Sequence, residues 1–260
     1  MPQSEYGLIK AGSDFLHFED NIAATTAASG IVWGTGYISV GGGLGFVSVN
    51  EGSLAWTIDE PGGILAFTTD TGDDDNACLL CGRFQPSNGG MWMETRFKFD
   101  GAATTFPAIY AGFAETMAFD TPVMPAEFAT ATMTYNGTGG MVGIQMDVDG
   151  TTDDFRALQG DAGAAGSGST NGIRANETLT ADEWYIARVE VHESGTSDIY
   201  MGHRGGLAGA MSLIRNFAKA GITRTDQFYA VCMAENRTAA ARVFEVDYLF
   251  AENFRDWLVT

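Results

Sequence analysis

The segment MWMETRFKF, at residues 91–99, alternates between two kinds of side chain with a period of two. Its two methionines, its threonine and its two phenylalanines fall on one face, while its tryptophan, glutamate, arginine and lysine fall on the other. Such alternation is typical of an antiparallel strand that packs one face on a core and turns the other toward solvent. The segment therefore predicts a half-buried antiparallel strand.

The same period recurs along the chain. WYIARVEVH (184–192) places its tyrosine, alanine and valines on one face. RVFEVDYLF (242–250) is predicted to place Phe244, Val246, Tyr248 and Phe250 on one face and Glu245 and Asp247 on the other. Further strand-like runs lie at 31–40, 44–50, 54–58, 64–69, 77–84, 106–115, 130–135, 141–148, 197–203 and 227–235. Roughly a dozen short strands between Gly, Asn and Asp clusters predict an all-β antiparallel β-sandwich.

Helical patterns are weak. Residues 207–221 contain good helix formers and end at a glycine, but the β-rich surroundings favour a strand within them. PAEFA (125–129) is expected to form one short helical turn after Pro125.

Composition and charge narrow the function classes. The 260 residues include 33 acidic and 14 basic side chains, for a formal net charge of −19. Nucleic acid and anionic membrane surfaces are excluded as partners, because both are bound mainly through Lys and Arg. No apolar run is long enough to span a bilayer. The N-terminal sequence lacks a basic region followed by an apolar one, so we predict no signal peptide and synthesis in the cytoplasm.

The patterning predicts one domain with extensions at both ends. Residues 1–29 have little periodicity and are interpreted as an extended N-terminal arm. Residues 30–252 contain the β-sandwich, and residues 253–260 form a short C-terminal tail. The arm and the tail are expected to serve as attachments.

Three stretches, at 71–99, 179–203 and 226–252, carry a family resemblance in their order and spacing. Their matching residues are Asp73 to Asn76, Pro86-Ser87-Asn88-Gly89, Trp184-Tyr185 and Val246-Asp247-Tyr248. Together they resemble the concanavalin A-like (laminin G-like) sandwich proteins found in the structural gene clusters of tailed bacteriophages. The resemblance covers about 180 residues at the level of pattern, and it implies a jelly-roll virion protein without catalytic residues.

This resemblance implies a capsid decoration, or cement, protein on the outer surface of the virion. It would bind the major capsid protein and copies of itself, with a homotrimer expected at capsid three-fold positions. Because such a protein binds only the assembled shell, it would stabilise that shell by mass action. The attachment or oligomer contacts are predicted at the large side chains of the arm and tail, Tyr6, Phe15, Phe18 and Trp257.

A glycan-binding fibre or adsorption module is the alternative function. Aromatic rings can stack on sugars, and Trp92 lies on the polar face of its strand, so it is the predicted glycan contact. A glycan hydrolase is a third hypothesis, because laminarinase-type members of this fold carry E-x-D-x-x-E on one strand. Here Phe250 stands at the second catalytic position after Glu245 and Asp247, and Glu252 is expected on the other face from these two. We therefore predict a protein that is not an enzyme and that has no catalytic set.

Two acidic loops offer oxygen ligands of the kind that Ca²⁺ prefers. The candidate ligands are Asp73, Asp75, Asp147, Asp149 and Asp153. Their spacing departs from the EF-hand pattern, and a solvated acidic turn is the favoured explanation, so no cofactor is predicted apart from this candidate Ca²⁺.

The three cysteines do not form a metal or redox motif. Cys78 and Cys81 are three residues apart on a strand, which points them to opposite faces, and Cys232 has no cysteine close to it in sequence. Buried, unreactive thiols are the prediction. Three N-x-T sequences, at Asn136, Asn176 and Asn236, are interpreted as chance.

Overall fold

The computed structural model describes residues 64–102, 105–115, 117, 123–129, 132–135, 139–149, 154–160, 179–203, 211–218 and 221–253, and in addition the backbones of the strands at 13–17, 31–32, 36–40, 44–48, 53–57 and 173–174. These residues form strands and turns and contain no helix. The described residues therefore include no helix that could span a membrane. The strands are β1 (Ser13–His17), β2 (Ile31–Val32), β3 (Gly36–Val40), β4 (Leu44–Ser48), β5 (Ser53–Thr57), β6 (Ile64–Thr68), β7 (Asn76–Phe84), β8 (Met91–Phe99), β9 (Ala108–Ala114), β10 (Ala126–Ala129), β11 (Thr132–Tyr135), β12 (Met141–Met146), β13 (Arg156–Gly160), β14 (Ile173–Arg174), β15 (Tyr185–Val191), β16 (Ser197–His203), β17 (Ser212–Phe217), β18 (Phe228–Glu235) and β19 (Val243–Asn253).

Two antiparallel sheets form a sandwich, which confirms the predicted all-β fold. Sheet A has the order β17-β16-β15-β8-β19-β6-β5-β2, and β1 pairs with β19 beside that path. Sheet B has the order β14-β13-β12-β9-β18-β7-β4-β3. The strand predicted within 207–221 is β17, at one edge of sheet A.

The main core lies between the two sheets and is rich in aromatic rings. The buried and half-buried residues of β8 alternate as its sequence predicts. Phe97 of β8 stacks on Phe244 of β19, with ring centroids 5.4 Å apart, and Phe99 stacks on Tyr185 of β15 at the same distance. Because β15 and β19 flank β8 in sheet A, these contacts fix the centre of the sandwich.

The predicted faces of β19 are correct only for its first half. Phe244 and Val246 are buried, but the register with β8 shifts between Val246 and Tyr248, which makes Asp247 a bulge residue. The bulge reverses the alternation, so Leu249 is buried while Tyr248 and Phe250 are half-buried on the outer face. The prediction that Tyr248 and Phe250 share a face with Phe244 and Val246 is therefore wrong, because one extra residue exchanges the two faces of a strand.

Sheet B is buried on both of its faces along β9 and β18. Its outer face is covered by the hairpin of β10 and β11, whose Phe128 joins a second apolar cluster that includes Tyr110, Tyr229 and Met233. PAEFA is therefore a strand rather than the expected helical turn, because its backbone pairs with β11 over that face.

Both ends of the described chain lie in sheet A. β1 falls within the predicted arm, and its Ser13 pairs with Glu252 of β19. Asn253, the first residue of the predicted tail, is the last residue of β19. The boundaries of the arm and the tail remain predictions. The residues named as attachment contacts lie outside the described residues, except Phe15, whose backbone is in β1.

Candidate functional site

An open cleft of about 520 Å³ lies on the outer side of sheet B, where the ends of β7 and β9 meet the start of β18. It borders the second apolar cluster, to which Met117 and Tyr229 belong. Its lining residues are Arg83, Glu115, Met117, Thr225, Asp226, Gln227 and Tyr229. The cleft is more polar than most small-ligand sites, which are lined mainly by apolar side chains, so a polar ligand would suit it best.

A bulge in β7 brings the arginine into this cleft. Phe228 pairs with Phe84 and Ala230 with Cys81, so Gly82 and Arg83 together oppose Tyr229. Gly82 has a φ of 61°, a left-handed conformation that suits glycine. Because of this extra residue, Phe84 returns to the main core and Arg83 lies beside Tyr229 on the outer side.

Hydrogen bonds hold the walls of the cleft in place. Arg83 Nε donates to the Tyr229 hydroxyl at 2.8 Å, and Arg83 Nη1 donates to Gln227 Oε1 at 3.3 Å. On another wall, Glu115 Oε2 accepts a hydrogen bond from Gly140 N at 2.7 Å. These contacts restrict the side-chain conformations before any ligand arrives, which lowers the entropic cost of binding.

Several polar atoms of the cleft remain available. In the described part of the chain, Arg83 Nη2, the Asp226 carboxylate and Gln227 Nε2 have no hydrogen-bond partner. They supply both donors and acceptors. A ligand rich in hydroxyl groups can satisfy such a set, because each hydroxyl both donates and accepts.

The predicted glycan contact, Trp92, is already enclosed on the outer face of sheet A. Its ring centroid is 4.4 Å from that of Phe250, and the Arg188 guanidinium lies 4.6 Å from the Trp92 ring centroid. Phe250 and Arg188 reach it from β19 and β15, on opposite sides of β8. Stacking a sugar on this ring would require one of these neighbours to move.

The carboxylates of the hydrolase hypothesis are held in ion pairs. Lys98 Nζ lies 2.6 Å from Glu245 Oε2, and Arg96 Nη1 donates to Asp247 Oδ2 at 2.6 Å. Exposed or half-exposed pairs of this kind contribute little to stability, but they occupy the carboxylate oxygens.

Glu252 does not complete a catalytic pair. The bulge at Asp247 places Glu252 on the same outer face as Glu245, which corrects the expectation that they face opposite ways. Glu245 pairs with Lys98 and Glu252 with Trp92, six positions apart on β8, or about 20 Å at about 3.3 Å per residue. Glycosidase carboxylates lie no more than about 9.5 Å apart.

One of the predicted calcium ligands, Asp147, is bound to an arginine instead. Asp147 is fully buried and accepts hydrogen bonds from Arg237 Nε at 3.2 Å and Nη2 at 2.9 Å. Arg237 Nη1 lies 3.0 Å from Asp74 Oδ1 and 2.9 Å from Glu235 Oε1. The guanidinium thus supplies the positive charge among these acids.

The other candidate ligands are dispersed. Asp75 accepts a hydrogen bond from Gly72 N at 2.8 Å, and Asp73 and Asp149 are exposed. Within the described ranges, no three His, Cys, Asp or Glu side chains are grouped as metal ligands would be. Asp153 lies outside the described residues. The calcium assignment therefore remains a prediction that the described geometry does not support.

The described thiols are buried. Cys78 lies in the second apolar cluster and Cys232 in the main core, and both are free. Burial raises the pKa of Cys232 to about 12 and the pKa of Cys78 well above its usual value. The side chain of Cys81 lies outside the described part of the structure. Thiols with such raised pKa values are poor nucleophiles at neutral pH.

Asn236 cannot carry a glycan in the folded protein. Its side chain is fully buried, accepts a hydrogen bond from Thr69 Oγ1 at 2.6 Å and donates one to the carbonyl of Asp70. The N-x-T sequences at Asn136 and Asn176 lie outside the described residues.

No sequence motif predicts the cleft. Arg83, Asp226, Gln227 and Tyr229 form no motif, because they come from separate segments that only the pairing of β7 with β18 brings together. The one available signal was Gly82, since an isolated glycine inside a strand pattern often marks a bulge.

Comparisons with known proteins find similarity at the level of structure. Neither the protein-family models nor the curated protein sequences give a match. Peanut lectin matches with a TM-score of 0.52 and 11% identity, over 86% of this chain and 97% of the lectin. Lectin II from Ulex europaeus matches with a TM-score of 0.51 and 9% identity, over 88% and 100%. The carbohydrate recognition domain of Emp47p matches with a TM-score of 0.50 and 12% identity, over 78% and 87%.

These identities are low enough that the similarity concerns the fold alone. The two antiparallel sheets and the near-complete coverage of the lectins confirm the concanavalin A-like part of the resemblance, whereas the link to bacteriophage proteins stays a prediction. The chain has the concanavalin A-like β-sandwich fold.

Proposed function

We propose that this chain is a glycan-binding protein whose ligand lies in the cleft beside Tyr229. The observation that carries the proposal is the set of polar groups without partners in the described part of that cleft: Arg83 Nη2, the Asp226 carboxylate and Gln227 Nε2. They border an apolar floor on a sandwich whose structural neighbours include lectins. Binding rather than hydrolysis is favoured, because Glu245 and Asp247 are paired with cations.

The size of the cleft fits a short saccharide. A volume of about 520 Å³ lies within the range of about 300–1,000 Å³ that is usual for small-ligand sites. Glu115 and Thr225 add further oxygen atoms to its rim. Hydrogen bonds from a sugar to charged side chains such as Asp226 are stronger than those between neutral groups.

A glycan array followed by titration calorimetry tests the proposal. We expect Arg83→Ala and Asp226→Ala each to weaken the selected glycan about tenfold or more, or ~1.4 kcal/mol. The matched controls Arg215→Ala and Glu193→Ala lie in sheet A and its β15–β16 turn, and they should bind as the parent does. Unchanged melting temperatures would show that all four variants fold. Absence of binding on the array, or equal affinities for all variants, would overturn the proposal.

Capsid decoration is the second candidate, and one observation favours it. Because β1 and β19 are antiparallel and Ser13 pairs with Glu252, the chain segments before β1 and after β19 start from adjacent points of sheet A. Tyr6 and Trp257 belong to these two segments, so both could contribute to one attachment patch on the outer capsid surface. The charge of −19 fits a solvated protein outside the shell.

Capsid co-sedimentation tests this second candidate. Removal of residues 1–12 or of 254–260 retains β1 and β19 and should abolish attachment to assembled shells. Sedimentation equilibrium would show whether the free chain forms the expected homotrimer. Normal co-sedimentation of both truncated proteins would contradict the role of these segments.

A further inference from the structure

We infer, resting on the proposed function, that the cleft selects an uncharged glycan over an acidic one. The described lining of the cleft contains two carboxylates, those of Glu115 and Asp226, and one guanidinium, that of Arg83. An anionic sugar would therefore meet more negative charge than positive charge at short range. It would also approach a protein whose net charge is −19.

Arg83, the cation in the described lining of the cleft, already makes two hydrogen bonds. Arg83 donates through Nε to the Tyr229 hydroxyl and through Nη1 to Gln227 Oε1. A carboxylate that binds arginine in the strongest, bidentate geometry needs two neighbouring N–H groups. The Nε–Nη2 edge cannot offer both of its donors while Nε is bonded to Tyr229, which leaves a carboxylate only the Nη1–Nη2 edge, where Gln227 already accepts from Nη1.

Neighbouring hydroxyls of a neutral sugar can hydrogen-bond to the polar atoms of the cleft that have no partner among the described residues. One hydroxyl can accept from Arg83 Nη2 or Gln227 Nε2, and the next can donate to Asp226 or to Oε1 of Glu115. Each carboxylate oxygen accepts only, so it needs a donor that a second carboxylate cannot supply. A polyol therefore satisfies the lining without placing like charges together.

Matched polysaccharides test this inference. Binding of the full chain is measured with a neutral glucan or galactan, with polygalacturonate as the acidic probe, at about 50 and about 500 mM NaCl. We expect neutral binding that changes less than about twofold with salt, because screening acts on charge pairs. Acidic binding should be at least about tenfold weaker at low salt, and the double variant Glu115→Gln, Asp226→Asn should narrow this gap.

The control variant Glu193→Gln removes a carboxylate from an exposed turn of β15–β16 and should leave the gap unchanged. Tighter binding of the acidic probe, or a gap that the double variant does not alter, would overturn the inference while leaving glycan binding intact. Absence of binding to every class would overturn the proposed function and this inference together.

Discussion

Gly143 of β12 lies directly opposite Gly112 of β9 in sheet B, and the hydroxyl of Tyr110 crosses this pair. That hydroxyl donates to the carbonyl of Phe113 at 2.7 Å and lies 3.2 Å from the carbonyl of Val142. Two adjacent residues without side chains thus make room for a fully buried tyrosine in the second apolar cluster. These contacts of the Tyr110 hydroxyl hold β9 and β12 together at the centre of sheet B, beneath the hairpin of β10 and β11.

Gly112→Ala should destabilise the fold strongly. A Cβ at this position would lie 2.3 Å from the backbone oxygen of Val142 and 2.9 Å from the Tyr110 hydroxyl. Because the nearest atom belongs to the backbone, the strand itself must shift, at a cost of about 3 kcal/mol. Thermal unfolding should show a decrease of about 6–12 °C. A melting temperature within about 2 °C of the parent would contradict the packing described here.

Gly82→Ala should lower the affinity for glycan, and this loss should exceed the loss in the free energy of unfolding. Alanine in the left-handed conformation of Gly82 costs about 1–2 kcal/mol, and relaxation of the bulge would turn Arg83 away from Tyr229. Asparagine tolerates this conformation better, so Gly82→Asn is the matched control. Calorimetric titration should give a lower affinity for the alanine variant than for the asparagine variant. Equal affinities would indicate that the bulge does not position Arg83.

Glu235→Gln should make the protein more stable at neutral and weakly alkaline pH. Burial raises the pKa of Glu235 from 4.5 to about 8, an effect that Arg237 opposes. The folded state therefore holds a proton that the unfolded state releases, and this stabilisation is complete below pH 4.5 and lost as the pH rises through 8. Each pH unit in that window removes up to about 1.4 kcal/mol.

The measurement is the difference in melting temperature between Glu235→Gln and the parent from pH 5 to pH 8. We expect this difference to grow with pH, while Glu193→Gln, in an exposed turn, should give none. A difference that stays constant across this range would show that Glu235 ionises normally in the folded protein.

Asn253→Ala should loosen the turn between β7 and β8. The Asn253 amide donates to the carbonyls of Gln85 and Gly90, at 3.1 and 2.6 Å, and its oxygen accepts from Gln85 N at 2.8 Å. Loss of these three bonds should lower the free energy of unfolding by about 2–4 kcal/mol. Asn253→Asp keeps only the acceptor. In denaturant unfolding its free energy of unfolding should therefore lie between those of the parent and Asn253→Ala. Equal free energies of unfolding for all three proteins would show that the Asn253 side chain does not stabilise the turn.

The same turn explains one motif of the sequence resemblance. Pro86-Ser87-Asn88-Gly89 forms the turn, and Gly89 has a φ of 96°, which favours glycine. The motif could be recognised from the sequence because its requirement is local. Its partner Asn253 could not, since it lies at the far end of the chain.

The sequence by itself determined the fold class and most of the strands, but not, for example, β1 or β10. A period of two is set by the backbone, so alternation in β8 and β15 predicts their buried faces without knowledge of their neighbours. The excess of acidic residues likewise predicts against partners that are bound mainly through Lys and Arg.

Only the tertiary structure decided where that alternation breaks and where a ligand could bind. The bulges at Asp247 and at Gly82–Arg83 exist in the register between two strands, and one extra residue there exchanges the faces of everything that follows. The first bulge moved Tyr248 and Phe250 outward, and the second placed Arg83 beside Tyr229. Register depends on contacts between residues distant in sequence. The period of a single strand therefore could not predict the cleft.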